Sequence, residues 1–173
     1  MIAGARHHEP MITGVRRDAR TDLSAAAAAS LVAAAVAAVV RIAEPFEHGV
    51  WLVAYLFLVG FLAQLLLGRG QAALLPASSG SLPGPRSRRV QPVLWNAGVI
   101  SVPFGVLADA RLAVVFGSLV LLVALASFSH SVRAALTHRS VPRRLRSGYF
   151  ALLVFMAGSV LVGTALAWDI PWL

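Results

Sequence analysis

The sequence predicts an all-α integral membrane protein, a single bundle of five transmembrane helices with a cytoplasmic N-terminus and an extracytoplasmic C-terminus. Of its 173 residues, 58% are hydrophobic and 13% charged, and the mean hydropathy is +0.78, whereas soluble domains are about 45–50% apolar. A spanning helix uses roughly 20 residues. After a cytoplasmic tail, residues 1–22, the apolar runs predict spans at 23–43, 45–67, 93–108, 111–131 and 148–168.

The first predicted span is rich in alanine, which makes up eleven of the residues from Leu23 to Ala43. Alanine favours insertion much less than leucine or isoleucine does. A basic start followed by such a run is also compatible with a secretory signal, but we expect a retained helix. Since an alanine surface matches lipid poorly, this helix should pack against another helix, in this chain or in a partner.

The second predicted span starts with charged residues. Proline fits the first position of a helix, so we expect Glu44 as the N-cap, Pro45 as the first helical residue and Glu47 as the third. Carboxylates there complement the helix dipole. The alternative is a reactive site, in which Glu44, Glu47 and His48 hold a divalent metal ion or relay a proton, or His48 contributes to a haem or quinone site.

A haem held by two ligands within this chain is not expected. Met156 should lie about 12 Å inside the inner end of the fifth span, at 1.5 Å per residue, and does not match His48 in depth. The other histidines should be separated from His48 by a full span of roughly 30 Å. They are His7, His8, His130 and His138.

Only Asp109 and Ala110 separate the third span from the fourth, which predicts a tight turn and two antiparallel neighbours. Small residues at a spacing of four permit close approach of helix backbones. They are Ser101 with Gly105, and Ser159 with Gly163.

Polar side chains within the spans are few. Gln64 and Asn96 should lie at similar depth, near the inner ends of the second and third spans, and form an interhelical hydrogen bond. The alternative is a passive channel or small-molecule carrier, lined by these two side chains and Ser101. No aspartate, glutamate, arginine or histidine falls in the middle third of a span, which argues against ion-coupled transport or proton pumping.

Arginine is the only strongly basic residue, and its distribution predicts the orientation. Five spans place thirteen of the fifteen arginines on one side, which should be the cytoplasmic side. The thirteen are Arg6, Arg16, Arg17, Arg20, Arg69, Arg86, Arg88, Arg89, Arg133, Arg139, Arg143, Arg144 and Arg146. Arg41 and Arg111 fall on the outer side, together with four of the seven acidic residues.

Aromatic residues should mark the two interfaces. This predicts Trp51, Trp168 and Trp172 near the outer interface, and Trp95 and Tyr149 near the inner one.

The inner segments should be a mobile Gly-, Ser- and Pro-rich loop at 68–92 and a basic segment at 133–147, in which Pro142 ends a helix. Basic clusters near a membrane attract anionic lipid, and no nucleic-acid-binding motif accompanies them. We therefore expect contacts with anionic lipid or a partner chain, but not with nucleic acid. The residues are Arg86, Arg88, Arg89, Arg143, Arg144 and Arg146.

The functional prediction follows from the residue types and catalytic motifs that the sequence lacks. The chain has no cysteine and no motif of a serine hydrolase, zinc protease or phosphate-binding loop. Lysine is also absent, a bias that indicates a high-GC bacterium and hence a bacterial plasma membrane. We expect a non-catalytic subunit or accessory factor of a larger membrane complex. A redox protein with a haem or quinone near His48 is the first alternative, and the passive channel is the second.

Overall fold

The computed structural model describes the backbone of residues 9–46, 48–74, 85–137 and 141–169, and the side chains of 24–46, 48–74, 90–133, 136 and 141–165. Every regular element in these residues is a helix. The elements are α1 (Glu9–Ala43), α2 (Gly49–Tyr55), a π-helix (Leu56–Ala63), α3 (Gln64–Leu74), α4 (Pro85–Leu107), α5 (Arg111–Thr137) and α6 (Arg143–Asp169).

The segments α2, π-helix and α3 follow one another without a break and form one rod, called rod 2 below. The described residues thus form five helical rods, each with a stretch long and apolar enough to cross a membrane, which confirms the predicted all-helical fold. We call the end of the bundle with the α4–α5 turn the turn end. The opposite end, where α3 and α5 finish and α4 and α6 begin, is the arginine end.

The helices at the arginine end are longer than predicted. Helix α3 continues to Leu74 and α4 begins at Pro85, so the predicted loop at 68–92 is helical on both sides of residues 75–84, which lie outside the described residues. Pro142 does not end α5; its carbonyl oxygen accepts the backbone N–H groups of Leu145 and Arg146 at the start of α6 (3.0 and 3.2 Å). Hydropathy locates only the apolar part of a helix, whereas backbone hydrogen bonds continue into polar sequence.

The turn between α4 and α5 is a Schellman motif. Asp109 adopts a left-handed conformation with a φ of 50°, which aspartate tolerates better than most residues. The Ala110 N–H donates to the Gly105 carbonyl (2.8 Å), and the Asp109 N–H donates to the Val106 carbonyl (3.4 Å), as this motif requires. The predicted tight turn is therefore confirmed.

Glycines allow α4 and α5 to approach closely. A Cβ atom at Gly117 would lie 2.9 Å from the backbone nitrogen of Val102 and 2.9 Å from Ser101 Cβ. One at Gly98 would lie 3.0 Å from the Gly117 carbonyl oxygen, and one at Gly105 would lie 2.7 Å from the backbone nitrogen of Val114. The predicted antiparallel pair thus forms with the Ser101–Gly105 face inside it.

The small residues of α6 do not form such a contact. A Cβ atom at Gly163 meets nothing within 4 Å, and Ser159 is exposed. The close approach that this pair permits is therefore not found within the described part of the chain.

The alanine-rich helix α1 packs on rod 2, so the partner expected for it lies within the chain. Ala27, Ser30 and Ala34 are buried in this contact. Gly60 of the π-helix faces Ser30, and a Cβ atom added at Gly60 would lie 2.9 Å from Ser30 Cβ. The opposite face of α1 is exposed; Val32, for example, is 62% exposed.

Trp95 lies at the centre of the bundle instead of facing an interface. It is 1% exposed, and its ring meets that of Phe128 edge to face, with centroids 6.1 Å apart. Its indole N–H donates to the Val59 carbonyl (3.2 Å). Val59 belongs to the π-helix, a segment in which the usual hydrogen-bond register is shifted. Tyr149 is also buried, at 4% exposure. Both rings therefore face other helices of the bundle, and their position near the inner interface stays a prediction.

A buried polar network joins α3, α4 and α5 near the arginine end. The Gln71 side-chain amide donates to Gln91 Oε1 (3.3 Å) and Ser131 Oγ (2.8 Å). The Gln91 amide donates to Ser131 Oγ (3.1 Å) and the Ser127 carbonyl (3.0 Å). Hydrogen bonds between membrane helices contribute about 0.6 kcal/mol each on average, so this network fixes the register of three helices.

We expect Gly117→Val to destabilise the protein and Gly158→Val to have little effect. Valine at 117 overlaps backbone atoms of α4, which typically costs about 1–3 kcal/mol, or very roughly 2–10 °C in Tm for a chain of this size. Gly158 lies on α6 with nothing within 4 Å of its added Cβ, which makes it the matched control. Thermal unfolding in one detergent compares them, and equal Tm values would contradict the close approach.

Candidate functional site

A cleft of about 670 Å³ opens at the turn end, between rod 2, α4, α5 and α6. Small-molecule sites in proteins commonly have volumes of about 300–1,000 Å³ and are mostly apolar. The lining residues are His48, Val50, Trp51, Ala54, Tyr55, Val59, Trp95, Val102, Gly105, Val106, Asp109, Arg111, Val114, Ser118, Leu121, Met156, Ser159, Val160 and Gly163. The walls are therefore apolar, with polar groups at the mouth.

The cleft exists because α6 and rod 2 separate towards the turn end. Helix α6 packs along α5 and contacts α3, where the Tyr149 ring lies against Gly70. Between α6 and either α2 or the π-helix, the described residues make few or no contacts. On α6, the lining residues Ser159 and Gly163 are small, so these two positions leave the space open.

Three polar residues surround the mouth of the cleft: His48, Asp109 and Arg111. His48 precedes α2 as its N-cap but makes no capping hydrogen bond with its side chain. Arg111 is the first residue of α5, where a cation opposes the positive end of the helix dipole. No ion pair joins Asp109 to Arg111 in the part of the chain that the structure describes.

The closed end is apolar and aromatic, formed by Trp95, Val59 and Leu121. Ten residues of α4 separate Trp95 from Gly105 near the mouth, which corresponds to about 15 Å at 1.5 Å per residue. Along the wall, Tyr55 stacks on Trp51 with ring centroids 5.2 Å apart. The cleft is thus deep enough for an extended apolar chain.

The predicted start of the second helix is wrong. The Glu44 N–H donates to the Val40 carbonyl (2.7 Å) and so continues α1, whereas α2 begins only at Gly49. Pro45 therefore follows a helix C-terminus, a position that proline also favours. Proline is common at both positions, and sequence alone did not distinguish them. Glu44 is exposed and does not line the cleft.

The predicted metal site is not tested, because Glu47 lies outside the described residues. Among the residues that are described, no three His, Asp or Glu side chains group as metal ligands.

Two candidate haem ligands take different positions. His130 is exposed on α5, nineteen residues beyond Arg111, which places it about 28 Å along the helix towards the arginine end. Met156, in contrast, lines the same cleft as His48, although the sequence suggested no shared site. The cleft extends along the helices, so side chains at different depths contribute to one cavity. His7, His8 and His138 lie outside the described residues.

The amides of Gln64 and Asn96 are in contact, since Gln64 Nε2 donates to Asn96 Oδ1 (3.1 Å). Gln64 is 1% exposed, and the Ser101 hydroxyl donates to the Ala97 carbonyl of its own helix (2.8 Å). None of the three side chains lines the cleft. Gln64 and Asn96 thus connect rod 2 to α4.

The arginines predicted to contact anionic lipid are described only in part. Arg143 and Arg144 are exposed at the start of α6, and an Arg146 guanidinium nitrogen is 3.4 Å from the Leu136 carbonyl oxygen, which it contacts as a donor. The side chains of Arg86, Arg88 and Arg89 lie outside the described residues.

Sequence reasoning missed the cleft and two polar features. Asp109 and Arg111 were interpreted only as turn and topology residues, although opposite charges on the two sides of a short turn are a visible signal. Gln71 and Gln91 fell in the predicted loop, so their hydrogen bonds were not anticipated. Ser118, 6% exposed and lining the cleft, carries no signal of its own.

Comparison of the chain with protein-family models, curated proteins and solved structures gives no significant match. The geometry of the cleft is therefore the guide to function.

Proposed function

We propose that this protein is a five-span membrane protein that binds an amphipathic molecule with a long apolar tail in the turn-end cleft. The cleft itself is the observation that carries the proposal: apolar walls about 15 Å deep under a mouth with His48, Asp109 and Arg111. Such a site matches a molecule that has a polar head and an apolar tail. The role that we propose is non-catalytic binding.

The proposed orientation has the arginine end and the N-terminus in the cytoplasm and the turn end outside. Thirteen of fifteen arginines then lie on the cytoplasmic side, in accordance with the positive-inside rule. The localisation proposed on this basis is a bacterial plasma membrane. Exposed Arg143 and Arg144 at the arginine end are placed to contact anionic lipid.

We further propose that the chain acts as an accessory subunit of a larger membrane assembly. Its first helix covers rod 2 with one face and leaves the opposite face exposed, with small residues and valines such as Val32 and Val36. Small residues favour contact between membrane helices. Helix α6 is similarly covered mainly on the side of α5.

A second candidate function is a redox role in which the bound molecule is a quinone. The observation that favours it is the position of His48 at the mouth of an apolar cleft, since a neutral imidazole N–H can donate to a quinone carbonyl.

Filling the cleft should remove the bound molecule. Gly163 lines the cleft with open space around it. Gly163→Leu should therefore lower the amount of tail-bearing molecule extracted per purified chain roughly fivefold or more, because an overlap of about 1–3 kcal/mol weakens binding by that factor. Gly158→Leu, on the same helix but outside the lining, is the control. Mass spectrometry of the extracts identifies the molecule, and equal yields from both variants would contradict the proposal.

The orientation predicts which end is labelled from outside the cell. The chain has no cysteine, so single-cysteine variants are unambiguous. A membrane-impermeant thiol reagent should label Ala108→Cys, exposed at the turn end, in intact cells, and Ser147→Cys, exposed at the arginine end, only after permeabilisation. The reverse pattern would show that the orientation is wrong.

The accessory role predicts that another chain co-purifies. Mild detergent extraction from native membranes, followed by size analysis and protein mass spectrometry, should find this protein in a complex larger than one 18.2 kDa chain. A lone monomer after cross-linking in intact membranes would contradict this role but not the binding of a tail-bearing molecule.

A further inference from the structure

The mouth of the cleft holds one cation and one anion that are not paired with each other. Arg111 begins α5, where the helix dipole disfavours a positive charge, and in the proposed orientation it is also one of only two arginines outside. Asp109 occupies a left-handed position that glycine adopts with less strain. Both side chains are exposed, line the cleft and have no ion-pair partner among the described residues.

The depth of the cleft matches one leaflet of a bilayer. The distance of about 15 Å along α4, from Gly105 to Trp95, is half of a hydrocarbon core of roughly 30 Å. The charged mouth lies at one end of this distance and the apolar closed end at the other. A lipid of the outer leaflet can therefore place its head at the mouth and a tail along the cleft while it stays at the same depth as the other lipids of that leaflet.

The cleft is also open to the side. Because α6 packs on α5 and α3 but hardly on α2 or the π-helix, a gap separates α6 from rod 2 at the level of the membrane interior. The α6 residues beside it, Ser159 and Gly163, are small and exposed. A lipid can enter through this gap from the surrounding bilayer without passing through water.

We propose that the occupant is a zwitterionic phospholipid with a primary amine, of the phosphatidylethanolamine class, which enters between α6 and rod 2. Its phosphate oxygens accept hydrogen bonds from the Arg111 guanidinium, and its ammonium group donates to the Asp109 carboxylate. His48 adds a polar contact on the opposite wall. This assignment rests on the proposed function, since it names the amphipathic molecule that the cleft binds.

The experiment presents the full-length protein in detergent with equal amounts of phosphatidylethanolamine, phosphatidylcholine and phosphatidylglycerol that carry the same acyl chains. Native mass spectrometry counts the bound lipids. We expect the ethanolamine lipid to be enriched roughly two- to fivefold over the other two, because the free energy of an exposed ion pair corresponds to a ratio of that size. A choline head cannot donate a hydrogen bond to Asp109, and a glycerol head lacks the cation.

Two variants separate the two contacts. Asp109→Asn keeps a residue that tolerates the left-handed conformation and should abolish the preference for ethanolamine over choline while total binding is retained. Arg111→Gln should reduce binding of all three phospholipids. Arg143→Gln, exposed at the arginine end, is the control and should change neither the preference nor the amount.

The outcomes distinguish the two levels of the proposal. Equal binding of the three lipids, or a preference that survives Asp109→Asn, overturns the headgroup assignment, and so does extraction of a quinone instead of a phospholipid. If Gly163→Leu still removes the bound molecule in those cases, the proposed function stands. If Gly163→Leu changes no binding, the proposed function fails as well.

Discussion

The close backbone contact between α4 and α5 is the constraint on which the rest of the structure depends. Three glycines remove the side chains that would hold these helices apart, and the Schellman turn at Asp109 reverses the chain within three residues. In lipid, helix association depends on packing rather than on the hydrophobic effect, so close contact of this kind is a main source of stability. The α4–α5 pair thereby forms a fixed centre, with rod 2 on one side and α6 on another.

The two ends of the bundle differ because the additional contacts are concentrated at one of them. Near the arginine end, the network of Gln71, Gln91 and Ser131 connects three helices, and Tyr149 packs against Gly70 between α6 and α3. Towards the turn end no comparable contact between α6 and rod 2 exists among the described residues. The bundle is closed at one end and divided at the other, and the cleft is the space between.

The same arrangement gives the cleft its chemical character. Its walls come from the middle of apolar helices and carry almost no polar groups, whereas its mouth comes from helix ends, where His48, Asp109 and Arg111 lie. Polar residues concentrate at helix ends because the membrane interior excludes them. A cavity between the ends of membrane helices is therefore amphipathic along its length, which matches a lipid better than a soluble metabolite.

Much of the fold followed from the sequence alone, since transfer of apolar side chains to lipid is a local property. The number of apolar helices, the α4–α5 turn and the contact of Gln64 with Asn96 depend on composition and spacing along one helix, and the structure contains all three. The start of α2, the positions of Trp95 and Met156, and the cleft depend on how helices pack on one another. Pro45 fits either side of a helix boundary. Trp95 faces inward, where a π-helix carbonyl accepts its N–H and its ring meets that of Phe128. Rotation and divergence of helices are set by side-chain contacts between distant parts of the chain, so tertiary structure alone determined where the site lies.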